Sequence, residues 1–123
     1  GIVDSIPLLR AVEDGYQNNV VVLTRNKGYR KEAKDHKIPS IIYHKYPNIR
    51  EALSRRCAVY NEQLEMVERM EDEGLITVIR PEKPIVVDRI EKDVMKLTDL
   101  YNEGYACAGK IMHSVAQNIH PTI

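Results

Sequence analysis

The chain has 123 residues, which is enough for one domain with a modest core. Its 18 basic and 18 acidic residues cancel, so no bulk charge favours a nucleic acid or an anionic membrane as the main partner. No apolar run approaches the ~20 residues of a membrane span, and no basic and apolar leader is visible, so we expect a cytoplasmic protein. Cys57 and Cys107 lack the spacing of a metal or redox site. We expect both as small core residues in a reducing compartment, with no metal and no cofactor.

The first elements in chain order are a short helix and a strand. Ile6–Gly15 is predicted as a helix with Ser5 as its N-cap, Pro7 in its first turn and Gly15 as its stop. Val20–Thr24 is a continuous apolar run rich in β-branched residues. Such a run is typical of a strand that is covered on both faces, and therefore of a parallel sheet.

A polar loop over Arg25–Lys37 comes next, and it leads into an ambiguous segment. For Ile38–Tyr46, a short helix opened by Pro39 fits better than a strand. A long helix is then predicted over Asn48–Glu73, with Asn48 and Glu51 forming a capping box. Its apolar residues recur every three or four positions, which predicts a buried stripe: Ile49, Leu53, Cys57, Tyr60, Leu64, Val67 and Met70.

The last third of the chain predicts a second strand and a second long helix. Gly74 ends the preceding helix, Leu75–Ile79 is predicted as a buried strand, and a connector with two prolines follows. The final helix is predicted over roughly Glu91–Gln117. Gly104 and Gly109 within it indicate close packing against a neighbouring element. Its predicted buried stripe is Val94, Leu97, Tyr101, Tyr105, Ala108, Met112 and Val115.

This order of elements predicts an α/β fold that is incomplete by itself. Two strands do not make a stable parallel sheet, since the common parallel folds have about five or more with helices on both faces. We therefore expect one segment of a larger doubly wound domain. Residues 1–80 would form the end of its α/β core, and residues 81–123 would form a connector and the C-terminal helix.

Five segments resemble, in order, the C-terminal half of bacterial patatin-like phospholipases. They are GIVDSIP, VVVLTRNKGYRK, KYPNIREALSRRCAVYNEQLE, ITVIRPEKP and KLTDLYNEGY. The resemblance spans nearly the whole chain. It implies the C-terminal half of a three-layer α/β/α domain, with two parallel strands and long flanking helices, in a hydrolase of lipid metabolism.

The resemblance also implies where the active site of such an enzyme lies. The catalytic Asp of the family stands in an Asp-Gly-Gly or Asp-Gly-Ala motif, and a Pro opens a helix a few residues later. Gly1 fits the second glycine of that motif, and Pro7 stands at the expected distance. Gly1 and Asp4 would then belong to an active-site loop whose catalytic Asp lies upstream. Asp4 itself is interpreted as a structural residue of that loop.

The family uses a Ser–Asp dyad, in which a Ser of a G-x-S-x-G elbow attacks a lipid ester and the Asp acts as general base. This sequence contains no G-x-S-x-G and no glycine-rich oxyanion loop. No catalytic residue is therefore assigned within it, and the chain alone is expected to be inactive. The parent protein would be a serine esterase that acts on a lipid or ester substrate.

One loop of this sequence could bind an anion. Arg25, Lys27, Gly28, Arg30 and Lys31 follow the first predicted strand, and ligands of open α/β sheets bind at the carboxyl ends of the strands. Such a loop could hold a phosphate or a lipid headgroup. The alternative is a set of solvated charges balanced by nearby acidic residues.

The histidines and serines favour no site of their own. The pairs His36 and His44, and His113 and His120, lack the spacing of metal ligands. The serines fall at helix caps or within helices rather than on a strand-to-helix elbow: Ser5, Ser40, Ser54 and Ser114.

Two hypotheses from different classes follow. The chain is either the C-terminal portion of a patatin-like lipid acyl hydrolase or a non-catalytic α/β interaction or dimerisation module. A reading frame that continues upstream with G-x-S-x-G and an Asp-Gly would separate them. Under either hypothesis, exposed strand edges and apolar faces predict self-association or a companion N-terminal half.

Overall fold

The computed structural model describes residues 4–32 and 39–119. Its elements in chain order are α1 (Leu8–Glu13), β1 (Asn19–Val22), α2 (Ser40–Lys45), α3 (Pro47–Asp72), β2 (Ile76–Ile79) and α4 (Val94–Ile119). The predicted order of helices and strands is confirmed, and the fold is of the α/β class.

The chain folds as two compact units, each drawn from two stretches of sequence. The first, which we call the helical unit, takes in residues 1–17 and 30–75 and contains α1, α2 and α3. The second, the sheet unit, takes in residues 18–29 and 76–123 and contains β1, β2 and α4.

The short helix predicted to open at Pro39 is confirmed, since α2 begins at Ser40 with Pro39 in the cap position. The starts predicted for α1 and α3 are wrong by two residues and by one residue. Helix α1 begins at Leu8 with Pro7 in the cap position, so Ser5 is not its N-cap. Helix α3 begins at Pro47, because proline has the backbone φ that the first helical position requires. This start places Asn48 inside the first turn and removes the predicted capping box. Glu51 instead pairs with Arg55 one turn later, at 3.5 Å.

The core of the helical unit lies on the later turns of α3. Val67 is fully buried, and Cys57 and Leu64 are nearly so. Ile49, in the first turns, is 44% exposed. Leu53, Tyr60 and Met70 are half-buried, so the predicted stripe is fully covered only at Cys57, Leu64 and Val67. Gly74 ends the helix as predicted, with φ of +73° and with hydrogen bonds that fold the chain back onto the last turn.

The described strands form one parallel pair in the sheet unit, with Asn19 opposite Ile76 and Val22 opposite Ile79. The Leu23 N–H donates to the Ile79 carbonyl at 2.8 Å and extends the pairing by one residue. The predicted parallel direction is confirmed. The predicted burial of β1 is wrong, because Val22 is 68% exposed and Val20 is 45% exposed.

Helix α4 contacts β2, whose Ile76 and Val78 are buried. Asp93 caps the start of α4, since its Oδ1 accepts hydrogen bonds from the N–H groups of Met95 at 2.9 Å and Lys96 at 3.4 Å. The connector is held to α4 by polar contacts. Lys110 of α4, for example, pairs with Glu82 of the connector at 3.0 Å, and that contact raises the pKa of Lys110.

The stripe predicted to be buried on α4 is mostly exposed. Of its members, Val115 is buried and Ala108 is half-buried, whereas the larger side chains are open: Val94, Leu97, Tyr101, Tyr105 and Met112. The close packing predicted at Gly104 and Gly109 is also wrong. A Cβ built at either glycine would meet no other group within 4 Å in the described part of the chain. The buried side of α4 carries Cys107, which is a free thiol like Cys57, as predicted.

Candidate functional site

The loop before α1 is attached to α3 through one side chain. The Ile6 N–H donates to Oε1 of Gln63 at 3.2 Å, and Nε2 of Gln63 donates to Oδ1 of Asp4 at 2.7 Å. One amide group therefore holds both ends of a three-residue segment. The Asp4 carboxylate thus takes part in the contact of this loop with α3. Gly1, which was assigned to the same loop, lies outside the described residues.

The first part of the basic loop forms a tight turn in the sheet unit. The Tyr29 N–H donates to the Asn26 carbonyl at 3.2 Å, and Gly28 has φ of +81°, which glycine adopts without strain. The Arg25 guanidinium lies 4.9 Å from the centroid of the Tyr29 ring. Lys27 and Gly28 stand exposed at the tip of this turn, where they could contact an anion.

The second part of the basic loop belongs to the helical unit, where two charges meet partners on α3. Arg30 makes a two-point contact with Glu68, at 2.8 and 3.3 Å, and approaches Glu65 to 3.9 Å. The hydrogen bonds that Arg30 donates to the Glu68 carboxylate raise the pKa of Arg30. The Lys31 ammonium lies 5.6 Å from the centroid of the Tyr60 ring.

Asn61 fixes the backbone of this second part. Its Oδ1 accepts the Lys31 N–H at 2.7 Å, and its Nδ2 donates to the Lys31 carbonyl at 3.0 Å. The side-chain amide thus binds both polar groups of one residue, as a neighbouring strand would. Asn61 and Gln63 thus act as two amide clamps on α3: Asn61 binds the second part of the basic loop, and Gln63 binds the loop before α1.

The predicted anion-binding residues therefore fall into two groups with different environments. Arg25, Lys27 and Gly28 form the turn of the sheet unit, whereas Arg30 and Lys31 are attached to α3 in the helical unit. The charge of Arg30 is already matched by a carboxylate. Lys27 and Gly28 are exposed at the tip of the turn.

Sequence reasoning missed Gln63 and Glu68 because their partners lie far away in the chain. Gln63 contacts a residue 57 positions earlier, and Glu68 contacts one 38 positions earlier. Asn61 falls in the tyrosine–asparagine pair of a segment that carries the family resemblance, which was the one available signal.

One histidine and one serine near the end of α4 make local contacts on that helix. His113 contacts Gln117 one turn later, and the Ser114 hydroxyl donates to the Ile111 carbonyl at 2.7 Å. His36 and His120 lie outside the described residues. Over residues 4–32 and 39–119, no group of three His, Cys, Asp or Glu side chains is placed to hold a metal ion. None of the helices described is long and apolar enough to cross a membrane.

Comparison with known proteins gives one family. A model described as a domain of unknown function, DUF6363, matches residues 46–119, which is more than half of the chain. The chain therefore belongs to the DUF6363 family. The match takes in α3, β2 and α4, whereas β1 and the basic loop precede it. No curated protein and no solved structure matches the chain.

Proposed function

We propose that this chain is the C-terminal, non-catalytic portion of a patatin-like lipid acyl hydrolase whose Ser–Asp dyad lies upstream. One structural observation supports the proposal above the others. The parallel pair of β1 and β2 leaves Val20 and Val22 exposed. Parallel sheets occur almost only with both faces covered, and an isolated two-stranded sheet is marginal in water. The remaining layers and strands of a three-layer α/β/α domain would supply that cover.

In the proposed enzyme, the upstream Ser attacks the ester carbonyl and the upstream Asp removes the proton of that Ser. Oxyanion donors from a glycine-rich loop stabilise the negative charge that develops on the carbonyl oxygen. The present chain would position the segment that follows the catalytic Asp. Gly1 and Asp4 would belong to that segment, and the Gln63 clamp holds Asp4 and Ile6 on α3.

The turn of the sheet unit would contact the substrate. Arg25 and Lys27 follow the carboxyl end of β1, where ligands of open α/β sheets bind, and Gly28 lets the backbone approach closely. The proposed substrate is a lipid or ester with an anionic headgroup, hydrolysed by a cytoplasmic enzyme.

Activity of an extended chain tests the proposal. The chain with its upstream segment, including the elbow Ser and the Asp before Gly1, should hydrolyse a p-nitrophenyl ester or a phospholipid. Replacing the elbow Ser by Ala should abolish turnover, and the 123-residue chain should show only background. Turnover by the 123-residue chain that is lost on Asp4→Asn would overturn the proposal, as would an extended chain without activity.

The headgroup contact has a test of its own within the extended chain. Arg25→Ala and Lys27→Ala should raise KM while kcat is kept, because they remove binding that is common to the ground state and the transition state. Lys92→Ala, on the exposed connector, is the matched control. If all three variants have the same KM, the turn does not contact the substrate.

A second candidate function is a non-catalytic interaction or dimerisation module. The exposed apolar side chains of α4 favour it, because contiguous apolar surface usually marks a site of association. An upstream reading frame without G-x-S-x-G, together with stable self-association of the chain, would favour this candidate over the hydrolase.

A further inference from the structure

The apolar side chains along the open side of α4 form one continuous surface, which we call the α4 stripe: Val94, Leu97, Tyr101, Tyr105, Ala108 and Met112. Tyr101 is 69% exposed and Tyr105 is 74% exposed, and their rings stack with centroids 6.3 Å apart. Spacings of three and four residues keep the members on one side of the helix. Two adjacent open aromatic rings in such a row are typical of an association surface rather than of scattered surface residues.

The α4 stripe is free of charge. The charged residues of the helix, Lys96, Asp99, Glu103 and Lys110, fall at other positions around its axis. Glu103 and Lys110 contact the connector through the Lys83 N–H and Glu82. A nucleic acid or an anionic headgroup would find no counter-charge on the stripe, so an occupant must itself be apolar.

We propose that the α4 stripe pairs with the α4 stripe of a second copy of this chain, with the two helices antiparallel. The stripe can pair with itself in one register. Antiparallel pairing about a two-fold axis near Glu103 sets Val94 of each copy opposite Met112 of the other and Tyr101 beside Tyr105, and it sets Leu97 opposite Gly109. The open space at Gly109 permits that approach.

The area of the stripe fits a weak homodimer. Two tyrosines at these exposures present about 300 Å². The aliphatic and Met side chains bring the surface to on the order of 500 Å² per copy. The pair would therefore bury about 1,000 Å², which is the lower end for a specific interface. Since the basic and acidic residues of the chain are equal in number, two copies meet without net repulsion.

Sedimentation equilibrium of the 123-residue chain across a micromolar to millimolar range tests the dimer. We expect a mass that rises with concentration from 14.1 kDa towards twice that value. Two alanines on opposite sides of α4 provide a matched pair of variants. Ala108→Glu places a charge in the stripe and should weaken association at least tenfold. Ala106→Glu makes the same change outside the stripe and should leave association unchanged.

A second variant and a cross-link distinguish a loss of association from a loss of folding. Tyr105→Glu changes an open side chain, so it should preserve the helical circular dichroism while weakening association at least tenfold. With antiparallel helices, Val94→Cys combined with Met112→Cys should give an oxidised covalent dimer, and Val94→Cys alone should not. A chain that stays monomeric at millimolar concentration would overturn the proposal. So would equal effects of Ala106→Glu and Ala108→Glu, or self-cross-linking of Val94→Cys alone. These outcomes are independent of any hydrolase activity upstream.

Discussion

The two long helices, α3 and α4, are both 26 residues long, yet they use their apolar side chains in different ways. Helix α3 buries Val67 and Leu64 and holds two loops through side-chain amides. Helix α4 has an apolar row of the same length but leaves most of that row open. The apolar pattern of a helix therefore does not decide its burial. Burial depends on whether another part of the same chain covers that side.

The largest expected contrast comes from removing one leucine from each helix. Leu64 of α3 is 4% exposed and Leu97 of α4 is 43% exposed. Leu64→Ala should lower the free energy of unfolding by about 2–4 kcal/mol, because it opens a cavity in the core. Leu97→Ala should lower it by less than about 1 kcal/mol, because less surface is removed from water.

Urea denaturation at low micromolar protein measures both effects without a contribution from association. Equal losses of unfolding free energy in the two variants would show that the α4 stripe is as well covered as the core of α3, which would contradict the difference in burial between the two helices.

The amide clamps offer the next contrast. Asn61→Ala should lower the free energy of unfolding by about 1–2 kcal/mol, because the Lys31 backbone loses two partly buried hydrogen bonds. Tryptic cleavage after Lys31 should also become faster. Asn102→Ala makes the same change at an exposed position of α4 and should leave both readouts unchanged. A tryptic rate that stays the same in Asn61→Ala would contradict the clamp.

Two ion pairs of α3 differ in burial and should therefore differ in strength. A double-mutant cycle with Arg30→Ala and Glu68→Ala should give a coupling of about 1 kcal/mol, because this two-point pair is partly buried. The cycle for Arg55 and Glu51, whose side chains are both over 70% exposed, should give at most about 0.5 kcal/mol.

The pH dependence of the first pair has a definite sign. Because Glu68 raises the pKa of Arg30, the contribution of the arginine is fully present below its ordinary pKa and is lost only at higher pH. Its coupling should therefore stay constant from neutral pH to moderately alkaline pH. A coupling that falls over that range would contradict the assignment.

The smallest expected effect lies at the start of α4. The Asp93 N–H donates to the Glu91 carboxylate and lowers the pKa of that group. The stabilisation is present above the ordinary glutamate pKa and is lost as the pH falls through the lowered value. Glu91→Gln should therefore reduce the loss of helical circular dichroism that occurs as the pH falls through the acid range. Glu62→Gln changes the net charge by the same amount elsewhere and is the control. If Glu91→Gln loses its helical circular dichroism over the same acid range as the unchanged protein, the contact is contradicted.

Much of the fold could be predicted from the sequence because its signals are local. The β-branched run before Thr24 predicted a strand, and the glycine at position 74 predicted the end of α3. Both depend on the conformational preferences of a few adjacent residues. Helix starts were less predictable. Asn48 is a favourable N-cap residue, whereas Pro47 suits the first helical position, and α3 begins at Pro47 because the fixed φ of proline matches that position.

The candidate site could be predicted only in part. The turn at Arg25, Lys27 and Gly28 was visible as a basic loop after a strand. The contact between Arg30 and Glu68 could not be predicted, because a run of basic residues does not indicate which of them pairs with a carboxylate on a distant segment. The clamps at Asn61 and Gln63 were likewise hidden, since each joins segments at least 30 residues apart.

Local sequence patterns were enough to predict the order of helices and strands, the parallel direction of the strands and the burial of both cysteines. These features follow from backbone preferences and from the period with which apolar residues recur. The burial of the two stripes depends on long-range packing, which covers the α3 stripe at Cys57, Leu64 and Val67 and leaves most of the α4 stripe open. Periodicity defines which side of a helix is apolar, but covering that side requires surface from another segment, and within the described residues α4 receives it on the side of Cys107 rather than on that of Tyr101 and Tyr105.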